Sequence, residues 1–165
     1  MTWGNKRSSP FEVRPYGPED YAYLVEMYDS FSPKAKFQGM PPREESARHE
    51  WVKHLIDTGD SFLAWQEGTV IGHVVLLPDF NKGDAEYLIF VSQQSRGRGV
   101  GTELTRTAIT RAEDLGLKII WLTVDAYNFR ATRLYKKFGF QFSDAYRSAS
   151  ERMMSYHCES GNGGA

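Results

Sequence analysis

The chain has 165 residues, 41% hydrophobic and 25% charged, with 20 Lys plus Arg against 21 Asp plus Glu and a formal net charge of -1. This composition predicts one domain able to bury a core without metals or disulfides, and its charge balance excludes a general polyanion binder while allowing a local basic patch. A single cysteine excludes an intrachain disulfide framework and a Cys-rich zinc site.

Residues 1–10, MTWGNKRSSP, lack an apolar run and read as a flexible N-terminus rather than a signal peptide. A strand is expected over Phe11–Pro15. A helix then starts at Pro18, Glu19 and Asp20 and runs to about Ser30, since Tyr21, Leu24, Val25 and Tyr28 recur at helical spacing. Pro33, Gly39 and Pro41-Pro42 mark a loop over Phe31–Pro42. A second helix is expected over Glu44–Asp57, with Ala47, Trp51 and Leu55 as its buried stripe.

The period then changes. Ser61–Gln66 and Thr69–Leu77 read as the arms of a hairpin around Glu67-Gly68, followed by a loop over Pro78–Gly83. Glu86–Val91 is a strand, Gly101–Leu115 a helix stopped by Gly116, and Lys118–Val124 a strand apolar enough for a doubly covered central position. A short helix, Arg130–Phe138, ends at Gly139. Strands over Phe140–Tyr146 and Glu151–Tyr156 follow, and residues 159–165 read as a flexible C-terminal tail. The expected order is β-α-α-β-β-β-α-β-α-β-β: one α/β domain over 11–158, a mixed central sheet flanked by helices. Right-handed crossings place Glu86–Val91 and Lys118–Val124 close and parallel, with binding loops at their C-terminal ends.

The most unusual of those loops is SRGRGVG, Ser95–Gly101, between a strand and a helix. Gly97, Gly99 and Gly101 remove side chains that would block peptide N–H groups. The helix start adds unpaired donors at Val100, Gly101 and Thr102, and Arg96 and Arg98 add positive charge. A phosphate or diphosphate is the natural guest. No G-K-[S/T] follows, so this is not a P-loop, and the glycine spacing fits the dinucleotide fingerprint poorly.

The run Arg96-Gly97-Arg98-Gly99-Val100-Gly101 resembles the Q/R-x-x-G-x-G/A pattern of the Gcn5-related N-acetyltransferase (GNAT) superfamily. A second stretch, Val124 to Phe140, resembles its V-x-x-x-N-x-x-A-x-x-L-Y-x-x-x-G-F signature. The element order over Phe11–Tyr156 is similar as well. The resemblance implies a GNAT acyl-CoA fold and N-acetyltransfer from acetyl-CoA to a primary amine by direct attack through a tetrahedral intermediate. It implies that the loop Arg96–Thr102 holds the pyrophosphate. It also implies that exposed backbone at Phe90 and Val91 pairs with the pantetheine arm, and that Asn128 bonds that arm or fixes its loop. Arg130 is placed near the phosphates. Tyr135 protonates the leaving thiolate or hydrogen-bonds its sulfur, with a packed core tyrosine as the alternative. Glu86 is the candidate base, with a solvated strand-end carboxylate as the alternative. Asp125 is a weaker candidate base at the acceptor side. His73, in an apolar strand, is expected to make a structural hydrogen bond.

The acceptor is to be covered by the first two helices and their loop, where Tyr28, Phe31 and Phe37 could wall an amine pocket and the acids Glu26 and Asp29 attract a cation. Met27–Phe37 loosely resembles acetyltransferase domains that modify protein lysines. A small-molecule amine and a protein lysine both stand as acceptors. The alternative function is an acyl-CoA-binding or sensing module without catalysis. No metal, nucleic-acid or membrane partner is expected. The location is expected to be cytoplasmic and the assembly a homodimer. His49, His54, His73 and His157 form no compact ligand motif in sequence. Cys158, beside His157 on a strand, is expected to be an ordinary residue.

Overall fold

The computed structural model describes residues 10–34, 39–148 and 150–159, with backbone alone at 144–147. The flexible ends expected over 1–10 and 159–165 lie, apart from Pro10 and Glu159, outside the described residues, as does Phe37. Among the described residues these helices and strands follow one another: β1 (Glu12–Pro15), α1 (Tyr21–Asp29), α2 (Glu45–Thr58), β2 (Asp60–Gln66), β3 (Thr69–Asp79), β4 (Asp84–Val91), α3 (Val100–Asp114), β5 (Ile119–Asp125), α4 (Phe129–Phe138), β6 (Gln141–Arg147) and β7 (Glu151–His157). The strands form a mixed sheet in the order β1-β2-β3-β4-β5-β7-β6. The helix and strand order is the expected one.

Local chemistry sets the boundaries. A 3-10 turn at Pro18–Asp20 leads into α1, and the Gly17 N–H donates to Asp20 Oδ2 at 2.9 Å. Glu44 caps α2 by accepting from the Ala47 N–H at 2.9 Å. The hairpin between β2 and β3 turns on Glu67 (φ 51°) and Gly68 (φ 76°), the left-handed pair that matches strand twist in a two-residue loop. Gly139 (φ 104°) ends α4, where its N–H donates to the Lys136 carbonyl at 3.0 Å.

Three expectations need correction. The buried face of α2 is Arg48, Val52 and Leu55, and Ala47 is exposed. The stripe is turned because Arg48 is buried through ion pairing, which hydrophobic spacing cannot register. Pro78 belongs to the end of β3, so that connection is shorter than expected. Finally, β5 is internal in the sheet but buries mainly one face, Ile120, Leu122 and Val124, while Thr123 is exposed.

The residues cluster into two compact units. The first runs through Val75 and includes Ile89–Thr105; the second comprises Leu76–Leu88 and the chain from Arg106. In the first, Leu24, Tyr28, Val52, Leu63, Val74 and Leu104 are buried. A Cβ on Gly72 would lie 2.8 Å from Leu104 Cδ1 and 3.1 Å from Val100 Cγ1, so this glycine lets the start of α3 sit close upon β3. In the second unit Tyr87, Ile120, Leu122, Phe140 and Met154 form the core. There the parallel ladder pairs Asp84–Glu86 with Ile119–Trp121.

Candidate functional site

The glycine loop lies in the first unit. Gly97 (φ 80°) and Gly99 (φ 89°) both take left-handed backbone, which aims successive peptide groups to one side. The first backbone bond into α3 runs from the Glu103 N–H to the Gly99 carbonyl at 3.1 Å. The N–H groups of Val100, Gly101 and Thr102 therefore lack intrahelical acceptors and carry the positive end of a 15-residue helix. A Cβ at Gly99 would meet nothing within 4 Å, so the space over the turn is open. These features fit a diphosphate. Arg98 is exposed beside them, whereas the Val100 side chain is buried and only its backbone faces the question of ligand binding.

Arg96 has a different role from the expected phosphate contact. Its Nε donates to the Val91 carbonyl at 3.0 Å and its Nη2 to the Ser32 carbonyl at 3.1 Å, with the guanidinium 5.4 Å from the Phe31 ring centroid. The Val91 carbonyl, on the backbone expected to pair with the pantetheine arm, thus accepts a bond from within the protein. Gln93, which the sequence reading passed over, completes the clamp: its Nε2 donates to the Ser30 carbonyl at 3.0 Å, and its Oε1 accepts from the Ser32 N–H at 3.2 Å. Two side chains after β4 therefore hold the segment after α1. Phe90 is buried, and its ring packs edge-on against Tyr28, Phe31 and Trp51.

Tyr28 sits within that cluster at 0% exposure, so it presents no surface to an acceptor. Its hydroxyl lies 2.7 Å from His73 Nδ1, and His73 Nε2 lies 2.9 Å from Ser61 Oγ. Burial drives the His73 pKa down to about 3 and holds the Tyr28 hydroxyl protonated. His73 is a neutral, two-ended structural bridge. Phe31 is also buried, at 4%, and lies at an open surface depression with Ser32 and Lys34.

Asp29 is engaged through one carboxylate oxygen, with its side chain 37% exposed. Its Oδ1 accepts from Arg48 Nε at 2.9 Å and Nη2 at 2.7 Å, and lies 2.9 Å from His49 Nε2. Partial burial raises its pKa, but the bonds from Arg48 and His49 outweigh that and hold it below the ordinary value. Asp29, Glu45 and His49 bring ligand-type atoms within 4.8 Å of one another, a grouping the sequence did not reveal, but the Arg48 cation already occupies the shared carboxylate oxygen.

The second unit carries the other expected residues. Tyr135 is buried on α4, its ring 5.9 Å from that of Tyr87 and 5.7 Å from that of Phe140. Burial raises its pKa well above the usual tyrosine value, and its hydroxyl bonds none of the described residues. Glu86, at the last printed pair of the parallel ladder, is half-buried, and desolvation raises its pKa. Its carboxylate likewise has no bonding partner among the described residues. Asn128 caps α4, its Oδ1 accepting from the Ala131 N–H at 3.1 Å. Asp125 closes the preceding turn, its Oδ1 accepting from the Tyr127 N–H at 2.8 Å. Arg130 is exposed in the first turn of α4. Cys158 is held as a thiol, its pKa pushed up to about 11 by burial and by Glu113. Among the described residues no helix is long and apolar enough to cross a membrane.

Comparison with known proteins gives the family and the fold. The profile of the Acetyltransferase (GNAT) family matches residues 22–140. A spermine/spermidine N(1)-acetyltransferase of Bacillus subtilis (strain 168) is 30% identical over 98 residues, covering 54% of this chain and 64% of that enzyme's length. The chain thus matches less than two thirds of that relative. In fold it is similar to a GNAT-family acetyltransferase from Streptococcus pneumoniae, with a TM-score of 0.71, 23% identity, and 90% and 99% of the two chains covered. It is also similar to yncA from Salmonella typhimurium, solved with its cofactor acetyl-CoA, with a TM-score of 0.71, 16% identity, and 90% and 94% coverage.

Proposed function

The chain belongs to the Acetyltransferase (GNAT) family, and on that premise we propose that it transfers an acetyl group from acetyl-CoA to a primary amine. The observation that carries this reading is the left-handed Gly97 and Gly99 turn, opening onto the unpaired Val100, Gly101 and Thr102 N–H groups. Those donors hold the coenzyme's diphosphate, with Arg98 adding charge. Acetyl-CoA supplies an acetyl thioester when bound.

We infer that Glu86 and Tyr135 supply the proton chemistry, from the raised pKa of each. An amine with a pKa near about 10 is cationic in neutral water and must lose a proton to attack. Glu86 takes that proton, directly or through water; its raised pKa makes it a stronger base than an ordinary carboxylate. The amine lone pair forms the C–N bond, the C–S bond breaks, and its electron pair leaves on sulfur. Tyr135 donates a hydrogen bond to that sulfur. A phenol made less acidic by burial suits hydrogen bonding better than complete proton transfer, because a thiolate with pKa about 8.5 does not deprotonate it. The nitrogen loses its second proton as the amide forms, and the thiolate takes that proton up through water. Asn128 and Asp125 act on the scaffold, fixing the turn that starts α4.

The test is calorimetric titration with acetyl-CoA together with thiol release over an amine panel. Binding with amine-dependent release of free thiol supports the proposal. Binding without release on any amine selects an acyl-CoA-binding module, and absence of binding refutes the reading.

A further inference from the structure

We propose that Gln93 and Arg96 are positioning residues for the glycine turn: together they hold it in its open, left-handed form before a ligand arrives. This rests on the acetyltransferase reading, and it gives the Arg96 guanidinium a use other than gripping phosphate.

The turn needs support more than its flanks do. Gly97 and Gly99 both sit at positive φ, and glycine loses more conformational freedom on ordering than any other residue. The chain is fixed on either side of them. Ser95 is buried and its N–H donates to the Ser92 carbonyl at 2.8 Å, while the Ser92 N–H donates to the Ile71 carbonyl of β3 at 2.9 Å. Val100 is buried where Gly72 leaves it room. Between these anchors the two glycines have no side chain and Arg98 is exposed. Arg96 is therefore the residue of the turn whose side chain ties it down.

The tie is made to two carbonyls on different segments of the first unit. Arg96 Nε donates to Val91 at 3.0 Å and Nη2 to Ser32 at 3.1 Å. That is the edge of a guanidinium that grips a phosphate at two points, and here it is filled from within the protein. Both acceptors are themselves held. Val91 ends β4. Gln93 grips the segment after α1 from the other side, its Oε1 accepting from the Ser32 N–H at 3.2 Å and its Nε2 donating to the Ser30 carbonyl at 3.0 Å. Phe31, between those two serines, is 4% exposed, with its ring centroid 5.8 Å from that of Phe90. Arg96 thus bonds to a fixed segment, and Gln93 acts on the turn through it. Neither side chain has to touch the coenzyme. Backbone donors already in place bind more tightly because less ordering remains to be done on binding.

The experiment titrates acetyl-CoA calorimetrically into the full chain, into Gln93→Ala, Arg96→Gln and Arg96→Lys, and into the Gln93→Ala/Arg96→Gln double variant. Each is measured at low and at high salt, with its melting temperature as the control for folding. Loss of exposed hydrogen bonds predicts that each single variant binds about threefold to tenfold more weakly. Arg96→Lys keeps the charge but lacks the planar fork, so it should bind as weakly as Arg96→Gln. The double variant should lose little more than the worse single one, because both residues act on one segment. These losses should persist at high salt, where a direct charge contact is screened. Amide hydrogen exchange on the ligand-free protein gives a readout independent of the coenzyme. The Glu103 N–H, bonded to the Gly99 carbonyl at 3.1 Å, should exchange severalfold faster in each variant. Arg96→Lys binding like the wild type, losses that vanish at high salt, or unchanged affinity and exchange in Gln93→Ala overturns the proposal. A wild type that binds no acetyl-CoA refutes the acetyltransferase reading; faster Glu103 exchange in the variants then still upholds the clamp, and unchanged exchange overturns it.

Discussion

The Tyr28–His73–Ser61 bridge makes a measurable demand on stability. His73 is wholly buried and its folded pKa is about 3, set by burial, against an ordinary value of about 6.5. Because the folded value is depressed, the unfolded chain binds the proton more readily. The contribution is fully present above about pH 6.5 and is lost as pH falls toward about 3. Between about pH 8 and about pH 5, protonation of this one group in the unfolded chain costs the native state about 2 kcal/mol. For a domain of this size that is a melting shift of roughly 4–8 °C. The assay is urea unfolding at both pH values for the wild type and His73→Gln, which keeps a two-ended hydrogen-bonding group but does not titrate. Other ionisable groups are common to both proteins, so the difference between their pH responses isolates His73. The wild type should lose about 2 kcal/mol more than the variant. Equal losses would refute the reasoning. Tyr28→Phe, which leaves the imidazole Nδ1 without its 2.7 Å partner, should cost about 1–3 kcal/mol at neutral pH and checks the same bridge by another route.

Other predictions concern the chemistry. Tyr135→Phe should lower kcat about tenfold to a hundredfold while the melting temperature stays within a few degrees, since the ring contacts with Tyr87 and Phe140 persist; undiminished kcat would assign Tyr135 to packing alone. Glu86 works only when ionised, so kcat/KM should fall as pH drops through a midpoint above the ordinary carboxylate value of about 4.3. Glu86→Gln should lower kcat/KM about 10²–10⁴-fold and remove that limb; a limb retained in the variant would assign it to another group. Gly99→Ala places a side chain at φ 89°, a strain of about 1–3 kcal/mol that the turn can relieve only by moving, so acetyl-CoA affinity measured by calorimetry should fall about tenfold. Unchanged affinity would remove the turn from the donor site.

Much of this architecture could be read from spacing alone, because periodicity and punctuation are local. Glu67-Gly68 announced a hairpin, and Gly116 and Gly139 announced helix ends, all at positive φ. The glycine turn was legible for the same reason: backbone needs there select the residue type. Long-range pairing was not. Arg48 looks like a surface residue of α2, and only the approach of Asp29 from α1 explains its burial and the turned stripe. Arg96 fits a phosphate loop by pattern, yet the carbonyls of Val91 and Ser32 compete for its guanidinium. Gln93 carried no sequence signal at all, since a clamp onto two backbone groups leaves no spacing rule. Tyr28 was read as an acceptor wall because aromatics suit amines; its burial with His73 follows from a partner 45 residues away. Asn128 kept a local role, the capping bond its position before α4 suggests.

The central claim is that an acetyl group moves from coenzyme A to an amine. It is tested most directly by incubating the protein with isotopically labelled acetyl-CoA and a panel of amines, amino acids and lysine peptides, then reading each amine by mass spectrometry against a no-protein control. The account predicts a labelled N-acetyl product formed in step with free coenzyme A and reduced strongly in Glu86→Gln. Free coenzyme A without labelled amide, or a product formed equally well without the protein, would contradict it.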